Sequence, residues 1–300
     1  MKLSVVIPTL NDRERLVRSL DSLREHAPAV ECVVVNGPST DGTTGMIRDR
    51  DDVATLVEIA DRNLNVARNA GAVRATGDAI AFLSSNRAIE PGWYEAVIER
   101  LETADAATGP THRELRTGLA SEVVESRSIA GREVTYINGS NAAFHRDVLT
   151  ELDGFDEYLQ TGGARDLSHR LAANGFSVGW AGKMCVRSGL EADGGRHERD
   201  WGWKYRALSY RLVKNYGIRP TVARRMFSHG ASDAVGTLRD VARGEATPSS
   251  WVGNGRDVLR GMGRGTADAV FARRKDKHTR RNPNGISARA DRAVEVYTWR

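Results

Sequence analysis

Four strand-length apolar runs, each leading into turn residues and then a helical pattern, narrow the folds open to this chain more than any other feature. They are residues 3–7 (Leu3-Ser4-Val5-Val6-Ile7), 32–35 (Cys32-Val33-Val34-Val35), 55–59 and 79–83 (Ala79-Ile80-Ala81-Phe82-Leu83). Leu16, Leu20 and Leu23 recur at helical spacing after the first run. The second opens into Asn36-Gly37-Pro38-Ser39-Thr40-Asp41-Gly42-Thr43, a polar, glycine-rich turn carrying a helix cap. A helix is expected over residues 66–75, between the third and fourth runs. This alternation specifies an α/β fold with a mostly parallel sheet flanked by helices. Ligands of such sheets bind beyond the carboxyl ends of the strands. Those ends read Thr9-Leu10-Asn11, Asn36-Gly37-Pro38, Asp61-Arg62-Asn63 and Ser84-Ser85-Asn86.

The 300 residues, 40% of them hydrophobic, allow one sizeable core plus an appendage. No apolar run approaches a membrane span, and the run near Met1 is too short for a signal peptide, so a cytoplasmic location is expected. Cys32 and Cys185 are read as buried reduced thiols.

The net charge of +5 hides an asymmetry, with 23 Lys/Arg against 31 Asp/Glu in residues 1–200 and 21 against 8 in residues 201–300. The boundary is therefore placed at residue 200, ahead of a helical, basic C-terminal extension. Trp201, Tyr205, Leu208, Leu212 and Tyr216 fall at helical spacing; Gly217 ends that helix, and Pro220 opens another that runs to about Gly244. From about residue 273 the polar, basic tail reads as loosely ordered. Trp201, Trp203, Tyr205, Tyr210 and Tyr216, interleaved with Lys and Arg, suit an interfacial helix on an anionic membrane surface. The alternative is a helix packed by its aromatics with a solvated basic face. No groove-reading motif accompanies the charge, so nucleic acid is not expected as a partner.

Four segments in order, covering roughly residues 3–190, resemble family 2 glycosyltransferases of the GT-A fold, a Rossmann-like architecture. The first is Ser4-Val5-Val6-Ile7-Pro8-Thr9-Leu10-Asn11, and the second runs from Val33 to Thr43. The third joins Ala67-Arg68-Asn69-Ala70-Gly71 and Ala75-Thr76-Gly77-Asp78 to Ser84-Ser85-Asn86 and Pro91-Gly92-Trp93. The fourth joins Asn138-Gly139-Ser140-Asn141-Ala142-Ala143-Phe144 and Gly154-Phe155-Asp156-Glu157 to Asp166-Leu167-Ser168-His169-Arg170-Leu171.

The resemblance implies that Pro8, Thr9 and Asn11 shape the nucleotide's entry. Asn36 stands where the family holds an Asp that accepts from the base; it either keeps that contact without charge or caps a turn. Arg68 and Asn69 follow the family pattern near the nucleotide, the alternative being an ordinary helix-surface Arg and helix-start Asn. Ser84 and Asn86 align with two metal-binding Asp residues. Mg²⁺ or Mn²⁺ is expected of the family, but neutral hydroxyl and amide oxygens bind such ions poorly, so no metal ligand is assigned. Arg87, with Arg68 and Arg165, is expected to offset the charge of a diphosphate.

Gly139, Ser140, Asn141 and Arg165 fall on the acceptor side. Gly163 and Ala164 occupy the place of the family's acidic pair, leaving Asp166 as the candidate base or as a helix N-cap. His145 and His169 read as structural or surface residues, and residues 105–135 match no motif.

The resemblance thus implies a membrane-peripheral enzyme on the inner face of the cell membrane. It would move a hexose, with inversion, from a nucleotide-sugar donor to a lipid-linked or cell-surface glycan. The alternative is a catalytically silent relative acting as scaffold or regulatory subunit in glycan assembly.

Overall fold

The computed structural model describes residues 1–115, 118–121, 123–188, 200–242 and 247–299. The four apolar runs form strands β1 (Leu3–Thr9), β2 (Glu31–Asn36), β3 (Thr55–Ile59) and β4 (Ala79–Leu83). Helices α1 (Arg13–His26), α2 (Thr43–Arg48) and α3 (Leu64–Arg74) make the crossovers between them. Every residue of β1 and β4 is buried, as strands covered on both faces require.

The chain continues through β5 (Arg87–Ile89), α4 (Trp93–Leu101), β6 (Ala106–Thr108), β7 (Thr111–Leu115) and β8 (Gly118–Ser121). A hairpin of β9 (Glu125–Ile129) and β10 (Arg132–Tyr136) leads to β11 (Asn141–His145), α5 (Arg146–Glu151) and α6 (Gly163–Ala173). Next come β12 (Val178–Trp180), β13 (Val186–Ser188), α7 (Trp201–Tyr216), α8 (Pro220–Ala242), α9 (Pro248–Lys275) and β14 (Ala293–Thr298). The motif-free stretch 105–135 thus supplies β6 to β9 and the start of β10.

The main sheet runs β12-β6-β11-β4-β1-β2-β3-β14. β1 lies parallel to β2 and β4, and β2 to β3, while β11 and β14 run antiparallel to their neighbours. One face buries Leu16, Leu20 and Leu23 of α1 against Val5, Ile7 and Val34. The other packs Val66 and Ala70 of α3, with Phe82, Phe144 and Phe155, against Val6, Val33 and Val35. Gly71 allows α3 this close to the sheet, since a Cβ there would stand 2.3 Å from Val6 Cγ1. A second sheet has the order β5-β13-β7-β8.

The chain divides into two compact units, one of Met1–Arg127, Val134–Asp193 and Asn284–Arg300, the other of Ser128–Glu133 and Gly194–Pro283. The expected boundary at residue 200 therefore needs correction at its far side, because the last residues return to the first unit. The tail read as loosely ordered from about 273 is, over 293–298, an edge strand with Val296 opposite Val57 and Tyr297 opposite Leu56. Its basic residues find acidic partners far back in the chain: Arg292 pairs with Glu157, and Arg289 with Glu157 and Asp61. Clustered positive charge signals disorder only while such partners are out of reach.

In the second unit Gly217 ends α7 with φ +77°, while Gly244, the expected end of α8, lies outside the described residues. α9 lies on α7 through Gly261 and Gly265, where a Cβ would stand 2.2 Å from the carbonyl oxygens of Gly202 and Arg206 respectively. The aromatics of α7 largely turn inward: Tyr205, Tyr210 and Tyr216 are buried, so they pack the helix instead of facing an interface. Among the described residues of this unit, the exposed large apolar side chains are Ile218, Phe227, Val235 and Leu238 in and just before α8, and Leu259 and Phe271 of α9. Of the two thiols only Cys32 is buried, which pushes it up to about 12, whereas Cys185 is half-buried.

Candidate active site

A cleft of about 240 Å³ opens where the parallel strands end. β1 contributes Pro8 and Thr9, β4 leads into Ser84, Ser85 and Asn86, and Gly37 follows β2. Asp61, Arg62 and Asn63 link β3 to α3 along another wall. Asn63 caps α3 by accepting from Asn65 N at 2.8 Å, which fixes this corner. Thr9 Oγ1 is buried without a hydrogen-bond partner among the described residues.

The charges of the cleft are mostly committed. Asp12 Oδ2 accepts from Ser85 Oγ at 2.5 Å, and its other oxygen pairs with Arg15. Asp61 accepts from Arg289 Nη2 at 2.9 Å. Arg62 is exposed and, among the described residues, has neither an acidic nor a hydrogen-bonding partner. It is the one cation among the described lining residues.

A polar framework adjoins these residues, buried at Asn36, Arg68 and Asn69 and exposed at Asn11. Asn36 donates to Thr44 Oγ1 at 3.0 Å and accepts from Ser39 Oγ at 2.7 Å, so it organises the turn after β2 and does not line the cleft. Asn11, at φ +50°, accepts from Thr40 N at 2.8 Å and holds the same turn from the other side. Arg68 is buried over the Phe155 ring and donates to Gly139 O at 2.5 Å and Asn65 Oδ1 at 3.2 Å; burial pushes it down to about 10. Asn69 bonds both backbone groups of Phe155, at 2.8 and 2.9 Å.

Residues 4–152 match the family model described as glycosyl transferase family 2. This segment is a glycosyltransferase family 2 domain. Glycosyltransferase AglE of Haloferax volcanii is 25% identical over 195 residues, which cover 59% of this chain and 64% of that protein. The glucosyl-dolichyl phosphate glucuronosyltransferase of the same organism is 26% identical over 176 residues, covering 52% and 56%. The chain thus spans less than two thirds of the length of either relative. Among solved structures, S. aureus TarS 1-349 in complex with UDP-GlcNAc superposes with a TM-score of 0.64 at 15% identity, covering 94% of this chain and 90% of that one. That likeness identifies the GT-A fold.

The family's metal site can be tested against the side chains at the end of β4. Ser84, Ser85 and Asn86 offer neutral oxygens, while both carboxylates lining the cleft already accept from arginines. Such a donor set does not fit Mg²⁺ or Mn²⁺. Elsewhere, Glu90, His112 and Cys185 bring ligand-type atoms within 4.8 Å of one another, but none of the three lines the cleft. Glu90 there holds His112 Nδ1 at 3.1 Å and Arg187 Nε at 3.2 Å.

Of the expected site residues, Pro8, Thr9, Ser84 and Asn86 line the cleft together. Arg87 is buried and donates to Ser188 Oγ at 2.6 Å, held there by the pairing of β5 with β13. Arg165 pairs with Glu125 at 2.7 Å and lies over the Tyr136 ring. Gly139 and Ser140 use their carbonyls to hold Arg68 and Ser84 N, and Asn141 bonds Trp93 Nε1 at 2.9 Å and Met184 O at 2.6 Å.

Asp166 is neither N-cap nor cleft residue. Gly162 caps α6, and the Asp166 carboxylate is fully buried 2.8 Å from Arg170 Nε. Arg170 in turn donates to Leu152 O and Gly154 O, at 2.7 and 2.8 Å. A carboxylate so enclosed does not reach an acceptor hydroxyl entering from the cleft. The polar lining residues that motif reading missed are Asp12, Asp61, Arg62, Asn63 and Ser85; the rule that ligands bind at strand ends pointed to the last four.

Proposed function

We propose that the protein is a glycosyltransferase whose cleft binds a nucleotide-sugar and delivers the sugar, a hexose, to a lipid-linked or cell-surface glycan. The observation that carries this reading is the position of the cleft. It lies at the carboxyl ends of the parallel strands of a family 2 domain, with Pro8, Thr9, Ser84 and Asn86 around it. Inversion at the anomeric carbon belongs to the same reading. A lipid-linked acceptor is supported by the relative that acts on a glucosyl-dolichyl phosphate.

The reading includes peripheral docking on an anionic membrane. Among the described residues no helix is long and apolar enough to cross a membrane. α8 and α9 expose Phe227, Leu238, Leu259 and Phe271 among exposed arginines that include Arg256, Arg260 and Arg264. Apolar side chains set among basic ones suit a headgroup region. Phe227→Ser with Phe271→Ser should reduce co-flotation with phosphatidylserine vesicles; unchanged flotation would remove docking from the proposal.

Burial of Asp166 favours a second reading, a protein that holds a nucleotide-sugar without transferring it. Incubation with a panel of nucleotide-sugars separates the two. Release of nucleoside diphosphate, raised by a lipid-linked acceptor, is the expected result. Binding without release under any condition would favour the silent reading.

A further inference from the structure

We propose that Arg62 takes the place of a divalent cation in this cleft and holds the donor's diphosphate through its guanidinium. The proposal rests on the nucleotide-sugar reading above and deepens it. A bound diphosphate brings several negative charges into a confined space, and something must oppose them. Acidic metal ligands are missing where β4 ends, and the three arginines suggested by the sequence are otherwise engaged. Arg68 is buried against Phe155 and Gly139, Arg87 donates to Ser188, and Arg165 pairs with Glu125. Arg62 lies in the wall of the cleft, exposed and unpaired among the described residues.

Its neighbour makes this availability possible. Asp61, next in sequence and also in the cleft wall, would be the obvious partner for a nearby guanidinium. Instead it accepts from Arg289, whose Nε also meets Glu157 Oε2 at 3.1 Å. Asp12, the second carboxylate of the cleft, is taken by Arg15 and Ser85. With both acids answered and Arg62 left over, the described lining favours an anion. A guanidinium presents a planar fork of N–H donors that matches phosphate bidentately and stays charged at every physiological pH. The neutral donors around it, Ser84, Ser85 and Asn86, suit hydrogen bonds to phosphate oxygens better than coordination of a hard cation.

The test is titration calorimetry of the full chain with UDP, GDP, ADP and CDP, and with the matching nucleosides, in buffer containing either EDTA or Mn²⁺. The expected result is a preferred diphosphate whose Kd changes less than about twofold between the two buffers. Arg62→Ala should weaken that diphosphate roughly tenfold or more and leave the nucleoside unchanged, while Arg62→Lys should recover part of the loss. Because Arg62 makes no ion pair among the described residues, its thermal midpoint should match the wild type, confirming that any loss is local. Binding that appears only with Mn²⁺, or an Arg62→Ala variant that binds the diphosphate as the wild type does, would overturn the proposal. If the wild type binds none of the diphosphates or nucleosides in either buffer, the nucleotide-sugar reading itself fails.

Discussion

Asn36 ends β2 and Asn86 follows β4, two strands of one sheet, and the resemblance to family 2 implies an Asp at each place. Only Asn86 lines the cleft; Asn36 is 1% exposed and spends its amide on Ser39 and Thr44. The same division runs through the whole region. Arg62 at the rim is unpaired among the described residues, whereas Arg68, in the helix that follows, is a buried strut from α3 to Gly139. The rim and the framework adjoining it are made from the same residue types. Burial decides which of them answers to a ligand and which to the fold, because a buried polar group left unpaired costs more than its bond returns.

If that division is right, framework substitutions cost stability and rim substitutions cost binding. The largest effect is expected from deleting residues 284–300. This strips β14 from the edge of β3 and leaves Glu157 without Arg289 and Arg292. Urea unfolding should then begin at much lower denaturant, with faster amide exchange over residues 55–59. An unchanged transition would restore the reading of a loose tail.

Asp166→Ala should follow, at about 3–5 kcal/mol of unfolding free energy, because it strands the buried Arg170 guanidinium. A variant that kept wild-type stability but lost sugar transfer would return Asp166 to the chemistry. Asn141→Ala should cost about 1–3 kcal/mol for each partner left unpaired, read from the same denaturation curves. A loss of activity at full stability would instead move Asn141 from framework to site.

The smallest effect concerns pH. Burial raises the Glu31 carboxyl, but hydrogen bonds from Ser4 and Thr76 and the charge of Lys2 outweigh it and hold the group below its ordinary value of 4.5. A depressed carboxylate contributes stability above its unfolded value and loses it as pH falls through the folded one. The contribution should therefore be intact at neutral pH and disappear on acidification below about pH 4.5. Carboxyl-carbon NMR should place the Glu31 midpoint low in the wild type and nearer normal in Ser4→Ala; equal midpoints would show that Ser4 contributes nothing.

Much of the donor side was legible in the chain because its signals are local. Apolar runs at 3–7, 32–35, 55–59 and 79–83 became parallel strands, and the turn residues after β1, β3 and β4 met in one cleft. Asp166 was misread because its partner Arg170 and the carbonyls of Leu152 and Gly154 surround it only after α6 packs. The interfacial tyrosines of α7 went the same way. Helical spacing shows that they share a stripe, but not whether that stripe meets a membrane or another helix.

The sequence by itself determined the first four strands and the helices that join them, the family resemblance, and the neutral Ser84-Ser85-Asn86 at the end of β4. Periodicity, turn chemistry and residue identity are properties of short segments, so no distant contact could alter them. Only the tertiary structure decided which charges remain free. Arg289 reaches Asp61 across 228 positions of sequence, and no local pattern records that pairing. Which arginine is left facing the cleft therefore depends on how the finished fold distributes its acids.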